Sequence, residues 1–416
     1  MTTRSRGHDP ARASRRFRRP PDRRDRIIAT AARLFRQNGF HATGIDEIAS
    51  EEEVSGTALY RHFANKEALL VACAEEGLAR VNEAFAGVHS DLEPEARLRA
   101  LIAAGARVTV EHLDEMVVYV RERRHLTATH RSDLRKRARE NTDVLLDALL
   151  TVRPELSRVH GVFALQSLNG IYLSIANEST TLSQPRTASL LSDMGSAAVL
   201  APVDSVINQA HYRRPTDDHA GIGRVSRREQ ILADSMRLFR QHGYASVGMG
   251  QIGEASGLKG SSLYRHYSSK SDVLAAGISR IHELLAASMS DALSAPTAEQ
   301  AMQRLVIASA GLAVQHRELL AVELSEGAHL DNDARLRAVR YRREHTAEWT
   351  RLLRVIDDGA SAAEARAIAG AVLGVVVGFV QGTLDPEPSA ARSALRSMMF
   401  AALDAPRAQR QRRAQS

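Results

Sequence analysis

Within twelve residues the chain gathers the hydroxyls of Ser55, Thr57 and Tyr60, the cations of Arg61 and Lys66, and the imidazole of His62. Small residues, Gly56, Thr57 and Ala58, stand among them. The set returns 204 residues later as Lys259, Gly260, Ser261, Ser262, Tyr264, Arg265, His266 and Lys270. These groups suit a polyanion. Hydroxyls can bond base edges or phosphate oxygens, small residues let a helix approach a groove floor, and Tyr, His and Lys can clamp a phosphodiester backbone. A helix starting here would add its peptide N–H groups and positive dipole end.

Glu122-Arg-Arg-His125 and Glu326-Gly-Ala-His329 point to a different chemistry. On a helix, Glu-x-x-His puts both side chains on one face. Two such motifs with two further carboxylates make the di-iron site of ferritin-like bundles. Here each motif lies in its own half of the chain, and no clear pair of partner glutamates completes a shared site. The plainer reading is a polar strip that lines a pocket or caps a turn. No nucleophile–base pair and no phosphate loop stands out. The chain is therefore read as a non-enzyme with no cofactor and no metal.

The elements that position these residues follow from the 204-residue echo, which includes Leu34-Phe35-Arg36-Gln37 against Leu238-Phe239-Arg240-Gln241, and Gly39 against Gly243. It continues through Glu122/Glu326, His125/His329, Glu140/Glu344 and Gly170/Gly374 without insertion or deletion. A repeat of half the chain is a whole module written twice, not a solenoid. Ile27, Ile28, Ala31, Leu34 and Phe35 have helical spacing, and Gly39 ends that helix. A short helix from Ile45 follows, then a turn, then a short helix through 57–63. Asn65 and Ser269 are placed to cap long helices that begin at Lys66 and Lys270. Two short helices joined by a tight turn describe a helix-turn-helix. No convincing alternating strand pattern occurs.

The expected division is a basic tail over 1–20, a helix-turn-helix domain over 21–82 and a helical body over 83–208. A linker over 209–223 leads to a second helix-turn-helix domain over 224–284, a second body over 285–405 and a basic tail over 406–416. Gly370, Gly374 and Gly378 recur every four residues on one helix face, which permits close backbone approach.

Aromatics are only 4% of the chain, so aliphatic helix–helix packing must build its cores. A single cysteine, Cys73, excludes an intrachain disulfide and fits a reducing compartment. Net charge of +7 allows an anionic partner. No signal-peptide pattern opens the chain, and the apolar run Ala367–Val380 is shorter than the ~20 residues of a membrane span. The expectation is a cytoplasmic, nucleoid-associated protein with no membrane partner.

Both modules resemble the N-terminal domain of TetR-family (TetR/AcrR) transcriptional regulators. The first carries Leu34-Phe35, Gly39-Phe40, Ile48-Ala49, Val54-Ser55, Leu59-Tyr60-Arg61-His62-Phe63, Lys66 and Leu69-Leu70. The second carries Leu238-Phe239, Gly243-Tyr244, Gly257-Leu258-Lys259, Leu263-Tyr264-Arg265-His266-Tyr267 and Lys270. The resemblance implies an all-α fold, with a three-helix DNA-binding head and a helical effector-binding and dimerising body in each module. It implies a recognition helix in the major groove of double-stranded DNA, with the tyrosine and lysine on phosphates and Thr43 within reach of another. It also implies a ligand-responsive repressor and, because the family's last two body helices pair as a four-helix bundle, an intramolecular pseudo-dimer with 158–178 and 186–201 packing on 362–382 and 388–404; a further homodimer stays open. The strips 119–126 and 322–330 look similar to bodies that sense fatty-acyl or other CoA thioesters, which makes Tyr119, Glu122, His125, Glu326 and His329 candidate effector contacts.

The modules depart from one another. Glu53 stands where the family usually has Gly, beside Glu51 and Glu52, and Thr43 answers to Val247. Residues 22–70 hold seven Lys/Arg and eight Asp/Glu, against seven and four in 226–274. Head 2 is therefore expected to dominate binding to an operator that is an imperfect palindrome. Two alternatives remain: a metal-binding helical protein using Glu122/His125 and Glu326/His329, or an adaptor of another regulator that does not bind DNA.

Overall fold

The computed structural model describes residues 23–176, 181–202, 226–258 and 260–415. The tail 1–20, the linker 209–223 and Lys259 lie outside them. The described residues are helical, with no strand among them.

In module 1 the helices are α1 (Arg23–Asn38), α2 (Ile45–Glu51), α3 (Gly56–Tyr60), α4 (Lys66–Ala86), α5 (Pro94–Glu111), α6 (Leu113–Glu122), α7 (Ala128–Val152), α8 (Arg158–Leu173) and α9 (Gln184–Val199). Module 2 continues with α10 (Arg227–His242), α11 (Met249–Ala255), a 3₁₀ segment (Gly260–Arg265), α12 (Lys270–Leu293), α13 (Ala298–Gln315), α14 (Arg317–Glu326), α15 (Asn332–Ile356), α16 (Ala362–Gln381) and α17 (Pro388–Gln415). Every module 1 helix start has its counterpart 204 residues on, from Arg23/Arg227 to Gln184/Pro388. The segment that answers to α3 is the one that changes type, from α to the tighter 3₁₀. Helix α17 runs through most of 406–416, where Arg410 pairs with Asp357, so the basic tail begins as ordered helix.

Local chemistry sets these boundaries. Gly39 and Gly243 turn the chain at φ +85° and +79°, a left-handed region that costs L side chains energy. Asn65 Oδ1 accepts from the Ala68 N–H at 2.8 Å, and Ser269 Oγ from the Asp272 N–H at 3.1 Å, which caps α4 and α12. Gly44 and Gly248 have no capping side chain. Glu47 and Gln251 reach back instead to their N–H groups, at 3.2 and 2.8 Å.

The two modules share one core, built where α8 packs on α16 and α9 on α17. A Cβ on Gly170 would lie 2.0 Å from the Gly374 carbonyl oxygen, and one on Gly378 would lie 2.1 Å from that of Gln166. The backbones touch because no side chain stands between them. Phe163 and Phe379 meet beside this seam at 5.5 Å, and Arg186 pairs with Glu364 across it at 2.6 Å. By length and composition α16, at 20 residues, could cross a membrane, and it is longer than the apolar run suggested. Its apolar surface is largely buried inside the protein, against α8, α15 and α17.

Each head has its own smaller core. Head 1 draws Val118, Leu126 and Leu134 from beyond residue 82, and head 2 draws Val322, Leu330, Ala334 and Ala338 from beyond residue 284. A head cut at either point would leave part of its core behind.

Candidate nucleic-acid interface and effector cleft

On each head the short third segment is anchored by one buried leucine, Leu59 or Leu263, and followed by a buried aromatic, Phe63 or Tyr267. That anchoring turns the intervening residues outward. Tyr60 is 53% exposed and Tyr264 56%, large aromatic surfaces with no fold-related reason to face solvent. Thr57, Arg61 and His62 are exposed beside Tyr60, Ser262 and His266 are half-buried, and Arg265 is exposed. Ser55 caps α3 by accepting from the Ala58 N–H at 3.1 Å, with Ala58 half-buried beside it.

The two lysines are held alike. Lys66 Nζ donates to the His41 carbonyl at 3.4 Å and lies 4.6 Å from the Phe40 ring centroid. Lys270 Nζ donates to the Tyr244 carbonyl at 2.8 Å and lies 4.2 Å from the Tyr244 ring. Partial burial holds the Lys66 ammonium below the usual lysine range, while Glu47 works against that shift. Both cations are thus fixed at the start of the head's long helix, close to the exposed tyrosine.

Thr43, which the resemblance put within reach of a phosphate, is 1% exposed, and its hydroxyl donates to the carbonyls of Leu34 and Gly39, so it locks the turn after α1 and its side chain is not presented at the surface. Val247, 2% exposed, fills the same core position in head 2. The Thr/Val difference therefore concerns packing.

The acidic turn is partly answered within head 1. Arg33 pairs with Glu51, Arg26 with Glu52 at 3.3 Å, and Thr30 Oγ1 donates to Glu52 at 2.6 Å. Two arginines are spent on these carboxylates. Glu53 takes φ +53°, the only non-glycine with positive φ among the described residues, and its counterpart Gly257 takes φ +64°.

Behind the heads a cleft of about 3300 Å³ runs between the modules into both bodies. Tyr119, Glu122, His125, Glu326 and His329 all border it. The Glu–His pairs face the heads as well. Glu122 stands 3.4 Å from His125 and also accepts from the Phe40 N–H at 3.4 Å. His125 stacks on Phe40 at 5.4 Å and 14°. In module 2 Glu326 stands 3.5 Å from His329, which stacks on Tyr244 at 5.0 Å and 27°. Each aromatic residue after the turn glycine thus lies against both the head's lysine and the body's histidine. Among the described residues no group of three His, Cys, Asp or Glu is arranged to hold a metal ion.

A second tie repeats at the same offset. Arg36 at the end of α1 pairs with Asp114 at the start of α6, and Arg240 pairs with Glu318 at 3.2 Å. Sequence reasoning missed both ties. The repeated Arg36/Arg240 and Asp114/Glu318 were visible, but nothing local says that residues 78 positions apart meet.

The family model for bacterial regulatory proteins of the tetR family matches residues 27–73 and again 231–276, and a tetracyclin repressor-like C-terminal domain model matches 91–155. The uncharacterized HTH-type transcriptional regulator YerO of Bacillus subtilis is 36% identical over 104 residues, 24% of this chain and 36% of YerO. The HTH-type transcriptional activator FasR of Mycolicibacterium smegmatis is 36% identical over 101 residues, 23% of this chain and 45% of FasR. The chain therefore spans less than half the length of these curated relatives. Among solved structures, AibR in complex with isovaleryl coenzyme A and operator DNA aligns at 26% identity over 42% of this chain and 97% of AibR, with a TM-score of 0.36. With the family's N-terminal domain present twice, on the two heads whose geometry repeats at one offset, the chain belongs to the TetR family of regulatory proteins, as a tandem duplication of that family's module.

Proposed function

We propose that this protein is a sequence-specific DNA-binding transcriptional regulator, a ligand-responsive repressor, in which one chain supplies both heads as an intramolecular pseudo-dimer. The observation that carries the reading is the repeated outward set, Tyr60, Arg61 and Lys66 against Tyr264, Arg265 and Lys270, on two heads joined through a glycine-tight shared core. Two such heads suit half-sites about one helical turn, roughly 34–36 Å, or a multiple of it apart. Phosphate neutralisation dominates affinity, so the more basic head 2 contributes more and the operator is an imperfect palindrome.

The effector of module 1 is a fatty-acyl or other CoA thioester. Supporting this, Leu78, Val81, Phe85, Leu145, Leu165 and Leu168 wall the first body's part of the cleft. Arg121, Arg131, Arg135 and Arg139 stand around it, suited to the phosphates of a nucleotide carrier. Helix α6 lines this cleft with Tyr119 and Val120 while Val118 sits in the head 1 core, so a ligand that displaces α6 must move the head. Binding then favours a head spacing that misfits the operator, a difference in affinity between two states.

Gel-shift or anisotropy titration against genomic fragments tests the reading. Tyr264→Ala should weaken binding by roughly tenfold or more, Tyr60→Ala by less, and palmitoyl-CoA should release the DNA. If no fragment is bound, the adaptor reading replaces this one; if a fragment is bound and neither substitution changes affinity, the two tyrosines are not the DNA contacts.

A further inference from the structure

The bodies share a backbone but not a pocket chemistry. At the 204-residue offset, Leu78 becomes His282, Tyr119 becomes Glu323, Asn141 becomes His345 and Leu145 becomes Trp349, while Arg137 becomes Tyr341. Tyr341, His345 and Trp349 recur every fourth residue and so share one face of α15. His282, from α12, stacks on Tyr341 at 4.2 Å and 20°, and His345 continues the series at 5.9 Å from Tyr341 and 6.4 Å from Trp349. His282, Tyr341 and His345 line the cleft.

The charges here are already matched. Glu323, 6% exposed, accepts from Arg342 at 2.6 Å and lies 3.6 Å from His282 Nε2. Burial holds the His345 imidazole down at about 4, so it is neutral near pH 7. The hydroxyl of Tyr341 and the indole N–H of Trp349 are shut off from solvent and have no hydrogen-bond partner. Trp349 itself is 0% exposed. A buried donor left unpaired costs about 1–3 kcal/mol, so a fold that keeps the Tyr341 hydroxyl unpaired in the wall of a cavity suits an occupant that supplies an acceptor. The hydrocarbon tail of a fatty-acyl group supplies none.

We infer that the second body binds a different ligand from the first: a small planar aromatic compound whose ring lies along the His282–Tyr341–His345 series and whose hydroxyl or carbonyl oxygen accepts from Tyr341. The protein thereby reads two chemically unlike signals, one per body. The inference rests on the reading of the bodies as effector sites, not on which DNA is bound.

Trp349 is the chain's single tryptophan, and its ring stands 6.4 Å from that of the cleft-lining His345, so tryptophan fluorescence reports on this end of the pocket. The full chain is titrated with 4-hydroxybenzoate, catechol, coumarin and the flavanone naringenin, and separately with palmitoyl-CoA. At least one aromatic should change Trp349 emission saturably. Tyr341→Phe should weaken that response by about tenfold, the loss of one hydrogen bond. The double variant His282→Leu, His345→Asn, which installs the first body's own residues, should abolish it while leaving the far-ultraviolet circular dichroism unchanged. If none of the four aromatics gives a saturable response, if palmitoyl-CoA alone does, or if the response survives the double variant, the inference is overturned. Emission is measured without DNA, so a failure of the regulator reading would appear separately, as absent fragment binding with the fluorescence response intact.

Discussion

Glu53 and Gly257 occupy one turn in two modules, both at positive φ, and no Cβ added at Gly257 would meet an atom within 4 Å. The cost of Glu53 is therefore its backbone, about 1–2 kcal/mol for an L residue in the left-handed region, offset in part by the entropy that glycine loses on folding. Glu53→Gly should raise stability by roughly 0.5–1 kcal/mol in chemical denaturation, and it should also tighten DNA binding by removing a carboxylate beside Ser55. An unchanged midpoint would show that the turn is not strained. His160 gives a second residue-scale expectation. It is 4% exposed, and burial, with Arg153 adding to it, pushes its imidazole down to about 4 from an ordinary 6.5. A depressed histidine is neutral when folded but takes a proton when unfolded below pH 6.5. Its contribution is full above that pH, falls as pH drops toward 4, and then levels off. Denaturation midpoints should decline over that window by an amount on the order of 3 kcal/mol, and His160→Gln should flatten that part of the profile.

Helices α6 and α14 carry both a wall of the cleft and ties to the heads, so on the proposed reading ligand and head would be coupled through these elements. His125→Ala and His329→Ala each remove a ring stack worth about 0.5–1.5 kcal/mol while leaving the apolar pocket walls in place. Because His125 borders the first body's part of the cleft as well as stacking on Phe40, His125→Ala is expected to weaken palmitoyl-CoA-induced DNA release, read by running the DNA titration with and without palmitoyl-CoA, whereas His329→Ala, in the other module, should leave that release nearly unchanged. Release that survives His125→Ala would place the coupling on the Arg36–Asp114 pair instead. The seam between α8 and α16 is the other decisive element. Gly374→Ala places a Cβ 2.5 Å from the Gly170 carbonyl oxygen, so the helices must part, at a cost of about 1–3 kcal/mol of overpacking and a lower melting temperature. Much of this was legible beforehand, because glycines four apart and helix caps at Asn65 and Ser269 are local signals. The inward turn of Thr43 and the stacking of His125 on Phe40 were not, since each depends on which distant surface the side chain meets. The polar face of the second body was hidden for the same reason: His282 and Trp349 are 67 positions apart and mean little until α12 and α15 are packed together.

At the scale of the whole molecule, the covalent link bears on how the proposed regulator would meet an operator. A regulator assembled from separate subunits loses its second head on dilution, whereas here both heads hang from one continuous core of α8, α9, α16 and α17. The second head's binding is then intramolecular, governed by an effective concentration that dilution does not alter. Two heads of unequal charge on one rigid frame also fix which half-site each one meets. Sedimentation should therefore show a single chain bound per operator. The binding isotherm should keep a Hill coefficient near one from micromolar down to nanomolar protein, and the apparent affinity should not fall at low concentration. Inverting one half-site should weaken binding, and exchanging the two half-sites should leave it nearly unchanged, because the pseudo-dimer can dock in the opposite direction. A Hill coefficient approaching two, or two chains per operator, would mean that tandem chains pair again and that each contributes only one working head.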